Sequence, residues 1–199
     1  MVQKLKTKQF NSIHQIALKQ TINFMRIKKF QLLLFWFLLT IFGCIKFEAK
    51  AQVSSAKMEA VYLYNFTKYI NWTAGGDKFT IGVIGSPEMK EELDKSLTGK
   101  KVGTKDIEIK DISVGQVTDC SIIYLGSSQS NSLSTVNTKI KGKNILLVAQ
   151  DDLAEKGACI SFFMQSGKLK FKLNQAALKD SGLKTSENLL TFATVISGQ

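Results

Sequence analysis

Apolar positions along residues 57–196 fall into short blocks whose spacing changes from one block to the next. Over residues 57–72, Ala60, Leu63, Tyr64 and Ile70 fall on one side of a helical projection, and Val61, Tyr62, Phe66 and Tyr69 on the other. The spacing predicts a helix apolar on nearly every side, the kind that is buried between layers or against a partner. Thr73-Ala74-Gly75-Gly76-Asp77 breaks it. Phe79-Thr80-Ile81-Gly82-Val83-Ile84 then reads as a strand. Ser86 and Pro87 suit a helix start, the hydroxyl as cap and the proline in the first helical position. Glu88, Glu91 and Glu92 favour the positive end of that helix, which is expected to run to about Leu97.

Ile107, Ile109 and Ile112 stand among charged residues in a half-exposed strand. Residues 121–125 and 144–149 are continuous apolar runs, the mark of central strands covered on both faces. Between them, the Ser- and Asn-rich stretch 127–141 is a helix or an irregular crossover. Residues 159–164 and 168–173 flank Gln165-Ser166-Gly167, a hairpin signal. In the second arm Leu169, Phe171 and Leu173 alternate with Lys168, Lys170 and Lys172, giving one core face and one lysine face of the kind that guards an edge strand. Asn174 and Ser186 read as caps of two closing helices, 175–181 and 187–196. Strands alternating with helices predict an α/β fold with a mostly parallel sheet, helices on both faces and an antiparallel edge hairpin over about 159–174.

The first 51 residues read differently. Arg26-Ile27-Lys28-Lys29 is followed by an apolar run over residues 32–42, broken at Thr40, and then by Ala49-Lys50-Ala51. These are the basic, apolar and small-x-small parts of a secretory signal peptide, with cleavage expected after Ala51. The apolar run is shorter than the ~20 residues of a spanning helix. Met25 opens a signal of ordinary length, which makes it a candidate start. Ile41-Phe42-Gly43-Cys44 resembles a lipoprotein box, but the phenylalanine before the glycine fits that box less well than Ala-Lys-Ala fits signal peptidase.

Charge changes its meaning once this segment is set apart. The 199-residue chain carries a net +11; residues 1–51 hold eight Lys, one Arg and one Glu, and residues 52–199 hold 18 Lys against 15 acids. The basic excess belongs to the exported signal, so no nucleic-acid partner is expected. Hydrophobic content of 44% is that of a globular protein, and residues 52–199 are long enough for one domain. His14 is the only histidine, and Arg26 lies before residue 52 as well. The remaining domain therefore has no Ser-His or Cys-His pair, no histidine zinc site and no guanidinium clamp for phosphate. Neither an enzyme nor a cofactor is expected.

Other candidates are weaker. Gly82-Val83-Ile84-Gly85-Ser86 matches no phosphate-binding loop and reads as a tight turn with a cap. Asp151, Asp152 and Glu155 lack the spacing of a calcium loop, so no metal is expected. Cys120 and Cys159 either pair in an oxidising compartment or stand as buried thiols on separate strands. The lysine face is a solvated edge, or it meets an anionic partner. Tyr62, Asn65, Phe66, Tyr69 and Trp72 are the candidate partner- or ligand-binding residues, because aromatic side chains anchor interfaces at low entropy cost.

The order of these pieces resembles a family. Residues 57–72, with Ala60-Val61-Tyr62-Leu63-Tyr64-Asn65-Phe66-Thr67-Lys68-Tyr69-Ile70-Asn71-Trp72, resemble the KAxFLYNFxKFxxW opening of YfiR-like proteins. Ile81-Gly82-Val83-Ile84-Gly85, Gly99-Lys100-Lys101-Val102, Cys120-Ser121-Ile122-Ile123-Tyr124-Leu125 and Gly157-Ala158-Cys159-Ile160-Ser161-Phe162 follow in the family's order. Gly167 to Asn174, Ala176, Gly182-Leu183 and Ser186 to Leu190 complete it. The resemblance implies a Rossmann-like α/β sandwich in the periplasm. It also implies a non-enzymatic repressor that holds the periplasmic sensor region of an inner-membrane diguanylate cyclase inactive, and so controls cyclic-di-GMP and biofilm formation. Redox-responsive members carry two disulfides; here the partner cysteine expected near Gly82 is missing, and Cys159 stands where many relatives have methionine.

The expectation is a signalling regulator that binds the periplasmic sensor region of an inner-membrane protein, a diguanylate cyclase or a sensor kinase. A periplasmic small-molecule-binding module, walled by Trp72 and nearby tyrosines, is the alternative. Assembly as a homodimer stays open.

Overall fold

Helix α1 (Ser55–Tyr69) opens the part of the chain that the structure, a computed structural model, describes: residues 55–72 and 77–197. The expected signal peptide, with Met25, Cys44 and Ala49-Lys50-Ala51, lies outside the described residues. The helix buries Ala56, Glu59, Ala60, Leu63, Phe66 and Thr67, a stripe at the spacing of helical turns. Its expected continuation to Trp72 does not occur. Ile70 and Asn71 instead form a short strand, β1 (Ile70–Asn71), antiparallel to β9 (Lys184–Thr185), and the Ser186 N–H donates to the Tyr69 carbonyl at 2.8 Å. A partner strand distant in the same chain outweighs helix propagation through β-branched Ile70.

The main sheet has eight strands in the order β10-β8-β7-β6-β5-β2-β4-β3. They are β2 (Lys78–Ile84), β3 (Lys101–Val102), β4 (Lys105–Asp111), β5 (Ile122–Leu125), β6 (Leu146–Ala149), β7 (Ile160–Gln165), β8 (Lys168–Asn174) and β10 (Thr194–Ile196). The run from β4 through β2, β5 and β6 to β7 is parallel. Antiparallel pairs lie on either side of it, β3 with β4 and β7 with β8. Every residue of β5 and β6 is buried, because helices cover both faces of the parallel centre. Helix α2 (Pro87–Leu97) and α5 (Glu187–Phe192) pack with α1, whereas α3 (Leu133–Ile140) and α4 (Gln175–Asp180) are linked by the Gly142 N–H to the Asp180 carbonyl.

Local signals act as the sequence suggests at several joints. Ser86 caps α2 through the Met89 N–H, and Asn174 caps α4 through the Ala177 N–H. The stretch 127–141 is a 3-10 segment (Ser127–Ser132) leading into α3. At the hairpin tip Ser166 and Gly167 both have positive φ, 51° and 72°, the left-handed pair that a two-residue turn between twisted strands requires.

The closing helix departs from expectation. It ends at Phe192, not at residue 196, and Thr194–Ile196 form β10, parallel to the end of β8. The expected edge strand β8 is therefore an edge over only part of its length.

Candidate functional site

Tyr62, Asn65, Phe66 and Tyr69 are three or four residues apart on α1 and share one stripe of it. That stripe lies along the outer margin of β8, where it lines a cavity of about 620 Å³ together with Lys168, Leu169, Lys170 and Phe171. The far wall comes from α5 and β10, with Leu189, Phe192 and Thr194. A second cavity of about 520 Å³, bounded by Met58, Val61 and Gly167, shares Tyr62, Lys168 and Leu169 with the first. Together they form one groove from the hairpin tip to β10.

The floor of the groove is an aromatic cluster. Phe66 meets Phe171 edge-on with ring centroids 5.1 Å apart, and Tyr62 meets Phe171 in the same way at 5.5 Å. Phe162 supports both, 6.3 Å from Phe66 and 5.9 Å from Tyr62. Phe66 is 1% exposed, so it builds the site from beneath without offering a contact surface. Tyr62 is half-buried, and its hydroxyl donates to the Leu169 carbonyl at 3.4 Å. The rim is unusually apolar, with Phe192 71% exposed and Val61 55% exposed.

Trp72 does not join them. Its ring sits edge-on against Phe79 at 5.0 Å and its indole N–H donates to the Thr67 carbonyl at 3.3 Å, so it closes the end of α1. The turn into β1 three residues earlier takes it off the helical stripe. Tyr64 is also outside the groove, with the Lys68 and Lys100 ammonium groups 4.6 and 4.7 Å from its ring centroid.

Of the two alternatives for Cys120 and Cys159, the structure has the second: both are free, buried thiols. They precede β5 and β7, which β6 separates. Two strand spacings amount to roughly 9.6 Å, beyond the ~7 Å Cα reach of a disulfide. Cys120 packs against Gly82, where an added Cβ would lie 2.7 Å from its sulfur. Burial pushes the Cys120 thiol up to about 11, with Asp119 adding to it, and burial likewise raises Cys159, whose sulfur lies 3.4 Å from the Ser181 hydroxyl.

The acids singled out in the sequence are engaged within the fold. Asp151 accepts from Ser127 and Ser130, and Asp152 and Glu155 flank Lys172 at 2.8 and 3.1 Å. Among the described residues no group of three metal-ligating side chains converges. At the ends of β2 and β5 the turns pack directly on each other, since a Cβ on Gly126 would lie 2.7 Å from the Gly85 carbonyl.

Sequence reasoning overlooked Glu59. It is 3% exposed and accepts from the Tyr124 hydroxyl at 2.5 Å, tying α1 to the middle of the sheet. Burial raises its carboxyl above the ordinary range, hydrogen bonds from Tyr124 and Ser55 oppose that, and Glu88 adds to it. A lone acid among apolar helix positions was the available signal. The α5 and β10 wall was overlooked as well, although Thr194-Val195-Ile196 is a β-branched run.

The YfiR/HmsC-like family profile matches residues 56–194. The chain belongs to the YfiR/HmsC-like family. In this family member the profile spans every element from α1 to the first residue of β10, and so includes the whole groove. No curated protein matches the sequence. A solved structure described as the ABC domain in complex with L-Trp, from Streptococcus pneumonia, is similar with a TM-score of 0.48 at 14% identity. The similarity covers 71% of this chain and 60% of that one. Among the described residues no helix is long and apolar enough to cross a membrane.

Proposed function

We propose that this YfiR/HmsC-like protein is a periplasmic, non-enzymatic signalling regulator. Its groove binds the extracytoplasmic sensor region of an inner-membrane protein, a diguanylate cyclase or a sensor kinase. The observation that carries the reading is the groove itself: Tyr62, Asn65 and Tyr69 stand over a rigid aromatic floor beside an exposed Phe192. Partly exposed aromatic side chains on a fixed scaffold are what an interface centre requires. Family membership supports the class of partner and its link to cyclic-di-GMP. The described residues contain neither His nor Arg, which removes the commonest catalytic and phosphate-gripping groups.

The test is cross-linking in intact cells, followed by capture of the tagged protein and identification of bound membrane proteins. One protein with an extracytoplasmic sensor region should be enriched. It should be lost when Tyr62 and Tyr69 are both replaced by alanine and retained with Tyr64→Ala, which lies outside the groove. Equal capture by both variants, or no membrane protein at all, overturns the reading.

The cavity volume of about 620 Å³ favours one second reading, a small-molecule site, since it lies within the range of ligand pockets. In that case a free ligand would raise the melting temperature of the isolated protein with no partner present.

A further inference from the structure

β10 covers the outer edge of β8 only at Lys172, Leu173 and Asn174. From Lys168 to Phe171 the strand has β7 on one side and the groove on the other. The two-residue turn makes Gln165 and Lys168 the bonded closing pair of the hairpin. By the alternation of an antiparallel ladder, the backbone N–H and C=O groups of Leu169 and Phe171 then point away from β7, into the groove. The Tyr62 hydroxyl reaching the Leu169 carbonyl marks that direction.

The side chains along this open stretch are sorted by chemistry. Leu169 and Phe171 are buried towards α1, and Lys168 and Lys170 are exposed on the opposite face. Lys172 is answered by Asp152 and Glu155. Lys170 donates to the Gln165 amide oxygen at 2.6 Å, and among the described residues neither Lys168 nor Lys170 has a carboxylate partner.

We propose that an extended segment of a partner protein, with apolar residues alternating with acidic ones, adds as a strand to the open stretch of β8. Its backbone bonds Phe171 and, in place of the Tyr62 hydroxyl, the Leu169 carbonyl. Its apolar side chains enter the groove beside Tyr62 and Phe192, and its acids meet Lys168 and Lys170. A second copy of this chain adding through its own β8 is disfavoured, because that pairing sets lysine rows against each other and like charges across strands repel. The proposal rests on the reading that the groove binds a protein, and it specifies the segment that is bound.

The test uses the purified protein and two fluorescent peptides, one alternating valine with glutamate and the other valine with lysine. The glutamate peptide should bind and the lysine peptide should not, with slowed amide exchange at Leu169 and Phe171 in the complex. The double variant Lys168→Glu with Lys170→Glu should weaken the glutamate peptide about tenfold or more and gain the lysine peptide, as expected for charge-complementary interfaces. A misfolded variant cannot produce that gain. Equal binding of both peptides, no binding, or protection elsewhere in the molecule overturns strand addition. If a membrane sensor is captured through Tyr62 and Tyr69 while these amides stay unprotected in the complex, strand addition fails and the regulator reading stands.

Discussion

The two margins of the sheet are built on opposite principles. At one, β3 is two residues long and its neighbour β4 carries its charges in pairs: Lys101 with Asp106, and Lys110 and Lys78 with Glu108. That margin leaves part of β4 uncovered, but its charges are answered by partners, a usual guard on an edge. At the other, β8 runs past the end of β10, Lys168 and Lys170 have no carboxylate partner among the described residues, and an aromatic groove opens beside it. The charge pairing found at the first margin is what the uncovered stretch of β8 lacks, and that stretch is where the proposed strand would add.

The comparison is sharpened first where the groove meets the core. Phe66→Ala should cost about 3–5 kcal/mol in chemical denaturation, because it empties a buried ring site beneath the groove. A loss under ~1 kcal/mol would mean that the floor collapses and that the groove is not the rigid surface described. Next comes the tie between α1 and the sheet. Tyr124→Phe removes the donor to Glu59 and should cost about 1–3 kcal/mol, since a buried carboxylate is then left short of a partner.

The same tie has a pH signature. The folded-state pKa of Glu59 is raised above its ordinary 4.5, so its protonated form is favoured by folding. Its contribution is fully present below the unfolded value and is lost as pH rises through the folded one. Unfolding free energy measured from about pH 4 to pH 7 should therefore fall more steeply in the parent than in Glu59→Gln, which keeps an acceptor for Tyr124. Identical slopes would show that Glu59 is solvated. The smallest effect belongs to the charge-paired margin: Lys101→Ala should leave stability unchanged in the same assay, as exposed ion pairs contribute little. A measurable loss there would break the comparison.

Most of the sheet was legible in the sequence because its signals are local. Residues 121–125 and 144–149 are continuous apolar runs, Ser86-Pro87 carries its own helix start, and Ser166-Gly167 carries its own turn. Trp72 and residues 194–196 were misread for a shared reason. Each sits in a stretch whose apolar spacing suits either a helix or a strand, and the choice is made by a partner distant in sequence: Lys184–Thr185 for Ile70–Asn71, and the end of β8 for β10. The candidate site followed the same division. Tyr62, Phe66 and Tyr69 were visible on one side of a helix, but the wall opposite them depends on β10 and could not be read. The cysteines were legible only as alternatives, since strand order separates them and strand order is not a local property.

The hydroxyl contact between Tyr62 and Leu169 joins residues 107 positions apart in the chain. The groove is thus assembled from the first helix and the last elements of the described fold. Contacts of such sequence separation carry a loop-closure cost that is met only when the chain between them is ordered. A partner bound in the proposed way would therefore need both the first helix and the last elements of the described fold in place.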